Sequence, residues 1–554
     1  MKTRSEVSPE KLRGGFYTPL PLAVHAVERL RQLVGHRSEL RVLEPSIGDG
    51  AFLDPLASSA LCIAEVVGVE IIGEEASKAS RRLVSSGLAG HVVNASTLRW
   101  SLDATPSYDA VVGNLPFVRF QFVSDTDRAD AARHGVELGV NIGGVSNLWL
   151  PMLLASLRML RIGGVFVLVL PAECLTGVSA GSARRWLLEN VSDLRCDLYP
   201  AGSFPGALQE VVLLSGRIEE STPPNPSLEV ALHTKLHSSR TFLASSVVVN
   251  EHSIPVGSAS WTRYLLTHIQ IDALHEFAAL PGVHELQNIA KFEVSTVTGA
   301  NAFFSLSPSV VRKYGLELWA RPLLPRARHA PGLIFDAGDH ASLVDDDRLA
   351  YLFDGAMSDT VRDRHSGLDH FLAEGEAQDL HLRFKCRIRS PWWAIPNIRR
   401  GELLLSKRCN RFPRMILNDT EAVTTDTIYR GRIVSTTASS LALVAGFHNS
   451  GTLLSSELEG RNFGGGVLEL VPSEVARLKV PVVEKMQEEI ERLDRISRET
   501  ADAKNAEKSE LLIQETDLLL CKYGIGMNGK LMDILADARS LLLDRRLDRT
   551  ATRE

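Results

Sequence analysis

Short apolar runs alternate with segments of helical character over the first 217 residues, and this alternation constrains the fold most strongly. The runs that have the length and composition of buried strands are 41–43, 64–69, 91–94, 108–113, 165–170 and 211–214. Helical patterns separate them, the clearest being the amphipathic stretch 148–161. Strands that alternate with helices predict an α/β domain with a Rossmann-like, doubly wound and mostly parallel sheet.

Polar residues stand at or just beyond the ends of four of these strands. Glu44 follows the first strand and Glu70 ends the second, while Ser96 and Asn114 come after the third and fourth. Ligands of doubly wound sheets bind at the carboxyl ends of the strands, near the point where the strand order reverses. We therefore expect these four side chains to share one cleft.

A glycine-rich turn follows the first strand, in the run Glu44-Pro45-Ser46-Ile47-Gly48-Asp49-Gly50. Its glycines would let the backbone approach a ligand closely. The run lacks the Gly-x-Gly-x-x-Gly spacing of a pyrophosphate-binding loop, and an acid leads it, so a cationic or hydroxyl-bearing ligand fits better. Glu70 is placed like the acids that accept hydrogen bonds from ribose hydroxyls. An ordinary turn beside a surface acid is the alternative interpretation.

The tetrapeptide Asn114-Leu115-Pro116-Phe117 offers an amide oxygen, a main-chain carbonyl and a flat ring at one point. These groups can accept hydrogen bonds from a planar amino group and stack on its face. The exocyclic amine of adenine or cytosine is such a group, and so is an amide. Taken alone, the tetrapeptide is more typical of a plain turn.

Length and composition narrow the class of protein. A chain of 554 residues is expected to form two or three domains. Its 44% hydrophobic and 23% charged residues are typical of a soluble globular protein, and no apolar stretch approaches the roughly 20 residues of a membrane span. The six cysteines include no Cys-x-x-Cys pair, so we expect no disulfide framework, no metal site and a cytoplasmic location.

A basic cluster in the second half is a candidate contact surface for nucleic acid. The net charge is −6, so affinity for a polyanion must come from a local patch. Ten lysines and arginines fall between Arg383 and Arg414 against the single acid Glu402, and aromatic residues are interleaved. The alternation over 383–389 predicts a strand with its cations on one face, which could follow phosphates and read guanine edges. A solvated charged face is the alternative. The candidate DNA-binding residues are Arg326, Arg328, Arg383, Lys385, Arg387, Arg389, Lys407, Arg408 and Arg411.

Seven motifs of the first half occur in one order along the chain. They are Gly15-Phe16-Tyr17-Thr18-Pro19, 43–53, Gly68-Val69-Glu70, 113–117, Asn147-Leu148-Trp149, Gly163-Gly164-Val165 and Leu170-Pro171-Ala172. The series resembles the gamma class of S-adenosylmethionine-dependent N6-adenine DNA methyltransferases, the amino-methylases of restriction-modification systems. The resemblance covers residues 11–217 motif by motif and continues more loosely to about residue 482.

The resemblance implies a domain order. Residues 1–217 would form the catalytic domain, 218–284 a connecting segment and 285–481 an α+β target-recognition domain. A helical segment, residues 482–554, would follow. Its apolar positions recur at three- and four-residue steps, and its pattern breaks near 523–526.

The resemblance also implies the reaction and the residues that carry it. A methyl group would pass from S-adenosylmethionine to N6 of an adenine flipped out of duplex DNA. Asn114 and the Leu115 carbonyl would accept hydrogen bonds from the amine, next to Pro116, while Phe117 and Phe204 would form aromatic walls. The residues expected at the cofactor are Tyr17, Thr18, Glu44, Ser46, Gly48 and Gly50 toward its methionine end, Glu70 at the ribose, and Ile71 and Ser96 at the adenine.

Two positions depart from the family pattern. Leu115 replaces the first proline of the usual Asn-Pro-Pro-aromatic motif, and Ser96 stands where the family often has an acid. These departures leave open a degenerate relative that binds DNA without catalysis. A second alternative is a methyltransferase of an RNA base or a protein glutamine, since the Asn-x-Pro-aromatic pocket can hold any planar amine. The expected partner is double-stranded DNA, with or without a separate restriction endonuclease or defence partner. We expect no fused nuclease, no membrane contact, and a monomer or weak dimer.

Overall fold

A computed structural model describes most of the chain. The described residues are 18–35, 39–143, 147–176, 180–199, 211–224, 227–233, 247–253, 261–355, 365–463, 466–501, 506–524 and 526–547. The chain divides into two compact units, the first made of Met1–Thr267 with Asp548–Glu554 and the second of His268–Leu547. Within the described ranges, every helix is too short or too polar to cross a lipid bilayer.

The first unit is built on a nine-stranded sheet. Its strands are β1 (Leu40–Glu44), β2 (Ile63–Glu70), β3 (Gly90–Asn94), β4 (Tyr108–Asn114), β5 (Leu160–Pro171), β6 (Val191–Leu198), β7 (Val211–Ile218), β8 (Ser227–His233) and β9 (Val247–Ser253). Their order in the sheet is β3-β2-β1-β4-β5-β7-β6-β8-β9. Strands β1 to β5 run parallel, and β7 is antiparallel to both of its neighbours. The predicted Rossmann-like α/β fold is confirmed, and the strand order reverses between β1 and β4.

Helices connect the parallel strands. Those described in this unit are α1 (Leu20–Val34), α2 (Leu53–Ala57), α3 (Gly73–Ser86), α4 (Thr97–Asp103), α5 (Asp125–Leu138), α6 (Trp149–Arg158), α7 (Glu173–Thr176) and α8 (Gly181–Asn190), with 3-10 turns at Phe120–Phe122 and Thr262–Leu265. The core holds the apolar face of α1, including Ala23, Ala26 and Leu30, together with Val42 of β1 and Val112 of β4. Burial on both faces explains why these strands are continuous apolar runs.

Three strands of the sheet were not predicted, namely β6, β8 and β9. The predicted connecting segment 218–284 contains β8 and β9. Strand β6 carries charged residues, which an alternating pattern would place in solvent. In the structure two nitrogens of the Arg195 guanidinium donate to the carboxylate of Asp197, and the third donates to Glu229 of β8. The donor–acceptor distances are 2.6 to 3.0 Å. The functional division of the chain stays a prediction.

The second unit mixes helices with several small sheets, in agreement with the predicted α+β class. Its strands are β10 (Val283–Glu285), β11 (Ala290–Val294), β12 (Ser305–Leu306), β13 (Ala320–Leu324), β14 (Ile334–Phe335), β15 (Tyr351–Phe353), β16 (Leu403–Ser406), β17 (Arg408–Cys409), β18 (Met415–Asn418), β19 (Val423–Thr424), β20 (Ile428–Ile433), β21 (Arg461–Phe463), β22 (Val467–Glu469) and β23 (Lys479–Pro481). The two larger sheets have the orders β11-β20-β16-β18-β14 and β12-β15-β13-β19.

The helices of the second unit are mostly short before residue 440 and longer after it. They are α9 (His268–Ala279), α10 (Leu286–Ile289), α11 (Asn301–Phe304), α12 (Pro308–Tyr314), α13 (Ala337–Asp345), α14 (Ser366–Ala377), α15 (Phe384–Arg387), α16 (Ser440–Phe447), α17 (Ser450–Glu459), α18 (Pro472–Val475), α19 (Ile490–Ala501), α20 (Ala506–Tyr523) and α21 (Gly529–Leu547), with 3-10 turns at Glu317–Trp319, Ala327–His329, Leu380–Leu382 and Glu484–Glu489. The helical prediction for the end of the chain is confirmed, including the break between α20 and α21.

The strand predicted over 383–389 is wrong. The segment forms the 3-10 turn Leu380–Leu382 followed by the single helical turn α15. In this conformation Cys386 points inward and is fully buried, while Phe384 on its other side is exposed. The alternation of charges misled the prediction because it does not correspond to an alternation of buried and exposed faces.

One buried ion pair fixes α21 to the rest of the second unit. Arg546, fully buried, donates two hydrogen bonds to the carboxylate of Glu457 on α17, at 2.6 and 2.9 Å. Its remaining donors reach the carbonyls of Asn410, Arg411 and Gly466. The guanidinium therefore joins four segments that are distant in sequence.

We expect Arg546→Ala to destabilise the second unit by about 3–5 kcal/mol, because Glu457 would keep a buried and uncompensated charge. Urea denaturation followed by circular dichroism would measure the loss. The control is Lys530→Ala on the same helix, at an exposed position, which should change the free energy of unfolding by no more than about 0.5 kcal/mol. Equal effects of the two substitutions would contradict the assignment.

Candidate active site

The ends of β1 and β4 meet where the strand order reverses. The two strands pair in parallel, with Leu43 opposite Val111. Beyond this pair the backbones stay close, because a Cβ atom built on Gly113 would lie 3.4 Å from Pro45 Cδ and 3.5 Å from Glu44 Cγ. Glu44 and Asn114 are therefore brought to the same edge of the sheet, which is where doubly wound folds bind ligands.

The glycine-rich loop after β1 folds back over the end of β2. The amide of Ile47 donates to the Val69 carbonyl at 3.0 Å, and the amide of Gly48 donates to Glu70 Oε2 at 3.0 Å. Gly48 has a φ of 55°, and within the described ranges no atom lies within 4 Å of the position its Cβ would take. At this residue the loop presents bare backbone to open space, as close approach by a ligand requires.

Glu70 ties the loop to the next turn. Its second oxygen accepts a hydrogen bond from the amide of Ile72 at 2.8 Å. Burial raises the pKa of Glu70, although the amide hydrogen bonds act against this. Each carboxylate oxygen keeps a further lone pair, so the two amide bonds leave acceptor capacity for a ligand hydroxyl.

Glu44 is a buried carboxylate whose surroundings do not neutralise it. Its side chain is 1% exposed, and its Oε2 atom has no hydrogen-bond partner among the residues that the structure describes. Burial raises the pKa of Glu44 well above its ordinary value, and the nearby Asp49 adds to this effect. A carboxyl group in this state favours a cationic or hydrogen-bond-donating ligand, which would compensate the buried charge.

The side chains of the Asn114–Phe117 turn differ in burial. Leu115 is 1% exposed, and its amide donates to the Val169 carbonyl of β5 at 3.3 Å. Asn114 and Phe117 are partly exposed, and Phe117 packs against the core of the unit. The leucine that replaces the usual proline is therefore accommodated as a core side chain.

The other predicted cofactor residues lie on neighbouring segments. Thr18 is buried just before α1, and Ser46 is partly exposed in the loop. Gly50 has a φ of 89° in the same loop. Ile71 follows Glu70 and is 62% exposed, which is unusual for an isoleucine. Tyr17 and Phe204 lie outside the described residues.

Ser96 is accompanied by an acid that the sequence analysis missed. Its hydroxyl donates to Asp127 Oδ1 at 2.6 Å, and the hydroxyl of Ser124 donates to Oδ2 of the same carboxylate at 2.7 Å. Ser124 caps α5 by accepting a hydrogen bond from the Asp127 amide. The Ser-x-x-Asp spacing could have indicated this helix start, but nothing in the sequence indicated that the acid reaches Ser96.

A second cluster of ionisable groups lies at the end of β6 and β8. His25, Asp197 and His233 each have one atom that could bind a metal ion, and these three atoms lie within 4.8 Å of one another. Asp197 already accepts hydrogen bonds from Arg195 and, at 2.8 Å, from His233 Nε2. Burial by itself would raise the pKa of Asp197, but these hydrogen bonds lower it overall. The carboxylate is thus already paired with the Arg195 guanidinium and hydrogen-bonded to His233.

The candidate DNA-binding residues all belong to the second unit, where several of their segments meet at the turn 425–427. The Lys407 amide donates to the Thr427 carbonyl at 3.3 Å, and the Thr427 hydroxyl donates to the Pro325 carbonyl beside Arg326 at 3.2 Å. Thr296 of the adjacent segment donates to Thr424 at 3.2 Å. Folding therefore brings backbone segments next to Arg326 and at Lys407, which are distant in sequence, to one turn.

These nine cations differ in how far they are already engaged. Arg383, Lys385 and Arg387 are exposed and form no ion pair with any residue in the described ranges, and Arg326 is likewise exposed. Arg389 donates to the carbonyls of Val297 and Thr298 at 2.7–2.8 Å. Three others form ion pairs with acids. Lys407 and Arg408 pair with Glu469, and Arg411 pairs with Glu510. Arg328 is exposed next to His329. The predicted set is therefore not one uniform surface.

Comparison with known proteins gives matches to methyltransferases along most of the chain. Residues 258–512 match the family model described as the C-terminal domain of the type II methyltransferase M.Eco57I. The type II methyltransferase M.XamI of Xanthomonas campestris pv. amaranthicola is 22% identical over 481 residues, which cover 85% of this chain and 86% of that protein. M.AccI of Acinetobacter calcoaceticus, another type II methyltransferase, is 21% identical over 398 residues, 69% of this chain and 68% of that protein.

A solved structure extends the likeness to the fold of almost the whole chain. The type IIL restriction-modification enzyme MmeI, solved in complex with DNA, superposes with a TM-score of 0.54 at 12% identity. The match covers 96% of this chain and 74% of that one. This likeness shows the fold alone. The family-model match and the two type II methyltransferases confirm the resemblance to the DNA methyltransferases of restriction-modification systems.

The raised pKa of Glu44 predicts a pH dependence of stability in the ligand-free protein. The folded state holds the proton more tightly than the unfolded state, so stability should fall as pH rises from about 4.3, the ordinary value for glutamate, through the raised pKa. Glu44 should contribute at most about 1.4 kcal/mol per pH unit to this slope. Glu70 and Asp517 also have raised pKa values and contribute slopes of the same sign. Urea denaturation across this range should therefore show a shallower slope in Glu44→Gln than in the natural protein.

Glu39→Gln is the matched control, because Glu39 is an exposed glutamate of the same unit. This variant should keep the slope of the natural protein. A Glu44→Gln variant with an unaltered pH profile would contradict the idea that Glu44 is buried without compensation.

Proposed function

Starting from the similarity to DNA methyltransferases of restriction-modification systems, we propose that this chain methylates adenine N6 in duplex DNA. The methyl donor is S-adenosylmethionine, and the adenine is extruded from the helix. The observation that carries the proposal is the contact between two strand ends at the switch point. One end bears a buried, uncompensated Glu44, and the other bears the Asn114–Phe117 turn.

The residues of the turn suit a poorly nucleophilic amine. The N6 lone pair of adenine is delocalised into the ring, so reaction requires that the amino hydrogens be held by acceptors. Asn114 Oδ1 and the Leu115 carbonyl would hold them, and Phe117 would stack on the ring. This arrangement works by orientation and needs no strong base. Extrusion of the adenine costs a few kcal/mol, which binding must supply.

Residues around β1 to β3 suit S-adenosylmethionine. When bound, this cofactor supplies an activated methyl group on a sulfonium. Its methionine end carries positive charge, which the Glu44 carboxylate would compensate beside Thr18, Ser46 and the bare backbone of Gly48. Glu70 would accept hydrogen bonds from the ribose hydroxyls. Exposed Ile71 would cover one face of the adenine, with the Ser96 hydroxyl and the Asp127 carboxylate at its edge.

The two departures from the family pattern do not remove a required group. Leu115 keeps its carbonyl, and its side chain is buried in the core. Ser96 is paired with Asp127, so an acid is present although not at the usual position. Both facts favour an active enzyme over a degenerate DNA-binding relative.

The second unit contains the proposed DNA target-recognition domain, residues 285–481. Exposed cations supply the attraction that a chain with a net charge of −6 needs in order to bind a polyanion. The substrate would be cellular DNA, which implies a cytoplasmic enzyme. A separate restriction endonuclease or another defence protein would recognise the same sequence.

We expect Asn114→Ala to lower the rate of methyl transfer at least 100-fold while S-adenosylmethionine binding measured by calorimetry stays nearly unchanged. The reason is that one of two orienting acceptors is removed. Asn190→Ala serves as control, since Asn190 is a partly buried asparagine at the end of α8 whose amide bonds to the Trp186 carbonyl. Near-normal transfer by Asn114→Ala would refute the proposed mechanism.

The reaction itself is tested by methylation-sensitive long-read sequencing of DNA from cells that express the natural chain or Asn114→Ala. N6-methyladenine at one short recurring sequence, absent with the variant, is the expected result. A soluble protein that binds S-adenosylmethionine but leaves DNA unmodified would point to another planar amine, such as an RNA base or a glutamine.

We expect Arg383→Ala plus Arg387→Ala to weaken DNA binding and to lower the slope of log affinity against log salt by about 2, one unit for each phosphate that the protein no longer neutralises. Fluorescence anisotropy at several salt concentrations would measure the slope. A control pair is Lys485→Ala plus Lys530→Ala, two exposed lysines of the same unit. If both pairs change the slope equally, the 383–387 cations have no special part in binding.

A further inference from the structure

An exposed apolar group stands among the free cations of the second unit. Leu382, Phe384 and Ile388 have exposed fractions of 60%, 61% and 64%. They alternate with the exposed cations Arg383, Lys385 and Arg387, and we call these six residues the 382–388 tip. An exposed cluster of large apolar side chains on a globular protein commonly marks a contact surface.

The tip is held by a tight anchor. Cys386 is fully buried beneath it. Arg389, which follows the tip in sequence, donates hydrogen bonds from its guanidinium to the carbonyls of Val297 and Thr298. Gly299 has a φ of 83°, and a Cβ there would come within 2.9 Å of Lys385 Cβ and 3.1 Å of Cys386 Sγ. Because Gly299 has no side chain, the backbone of the tip packs closely against it. The position of Phe384 is therefore well defined.

Positive charge surrounds the Phe384 ring. Lys385 Nζ and Arg387 Cζ each lie 5.5 Å from its centroid. These cations have no acid partner within the described ranges. The tip is therefore complementary to a ligand that combines negative charge with flat apolar surfaces. Duplex DNA has this combination, with phosphates on the outside and stacked bases within.

We propose that Phe384 enters the base stack of duplex DNA while Arg383, Lys385 and Arg387 bind the flanking phosphates. The inference rests on the proposed function, which makes DNA the substrate of this unit. Apolar side chains that enter a base step separate the bases and kink the duplex. The separation costs a few kcal/mol, which stacking of the ring on a base and the phosphate contacts would offset.

The test uses the full chain and a duplex that carries the sequence methylated by the natural protein. Adenines other than the methylated one are replaced one at a time by 2-aminopurine, whose fluorescence rises when stacking is lost. We expect a rise at one step with the natural protein and its loss with Phe384→Ala. Affinity for the duplex should fall about tenfold, in line with the loss of one stacked base. Phe384→Trp should restore both.

Two controls separate the possible failures. Leu518→Ala, at a leucine of the same unit that is 64% exposed, should behave like the natural protein. Phe384→Ala should leave the salt slope unchanged, whereas removal of the 383 and 387 cations should lower it. If Phe384→Ala keeps the natural fluorescence and affinity, the inference is overturned although methylation stands. If the natural protein methylates no duplex, the proposed function is refuted, and the inference that rests on it is refuted with it.

Discussion

The register of β1 between β2 and β4 is the constraint on which the candidate site depends. Val42 stands opposite Ala110 on one side and Val66 on the other. A slip by one residue would turn Glu44 to the opposite face of the sheet. Small residues keep the register usable at the strand ends. A Cβ on Gly68 would lie 2.4 Å from Ile47 Cδ1 and 3.1 Å from Ile47 Cβ, so a larger residue there would force Ile47 of the loop after β1 to shift.

The same geometry makes Glu44 a costly residue for the fold. Glu44 is buried because β1 ends beneath the loop, and its Oε2 atom has no hydrogen-bond partner in the described part of the chain. A well-packed apolar residue would stabilise the fold better than a buried carboxyl group without compensation. Such a conflict between local stability and residue choice is expected at functional sites. A cationic ligand would resolve it, so ligand binding and stability of this unit should be coupled.

Much of the first unit could be predicted because its central strands β1, β4 and β5 are apolar runs that are mostly buried. The prediction failed where polar residues are satisfied by partners distant in sequence. Strand β6 was missed since Arg195 is neutralised by Asp197 and by Glu229 of β8. Asp127 was missed because it reaches Ser96 from another helix. In the second unit, the helical turn at 384–387 follows from the burial of one cysteine, which no periodic pattern reveals.

The arginines of the second unit show why a count of basic residues overstates a binding surface. Arg414 donates to carbonyls of the segment 327–332 and belongs to the basic cluster only by sequence. Arg389 and Arg411 likewise hold parts of the unit together. A guanidinium has five donors in a fixed fork, which suits it to join backbone segments as well as to bind phosphate. Burial and existing partners separate the two uses. By this criterion the proposed DNA-contacting surface of the unit consists of the few cations around Phe384 and Arg326 that remain exposed.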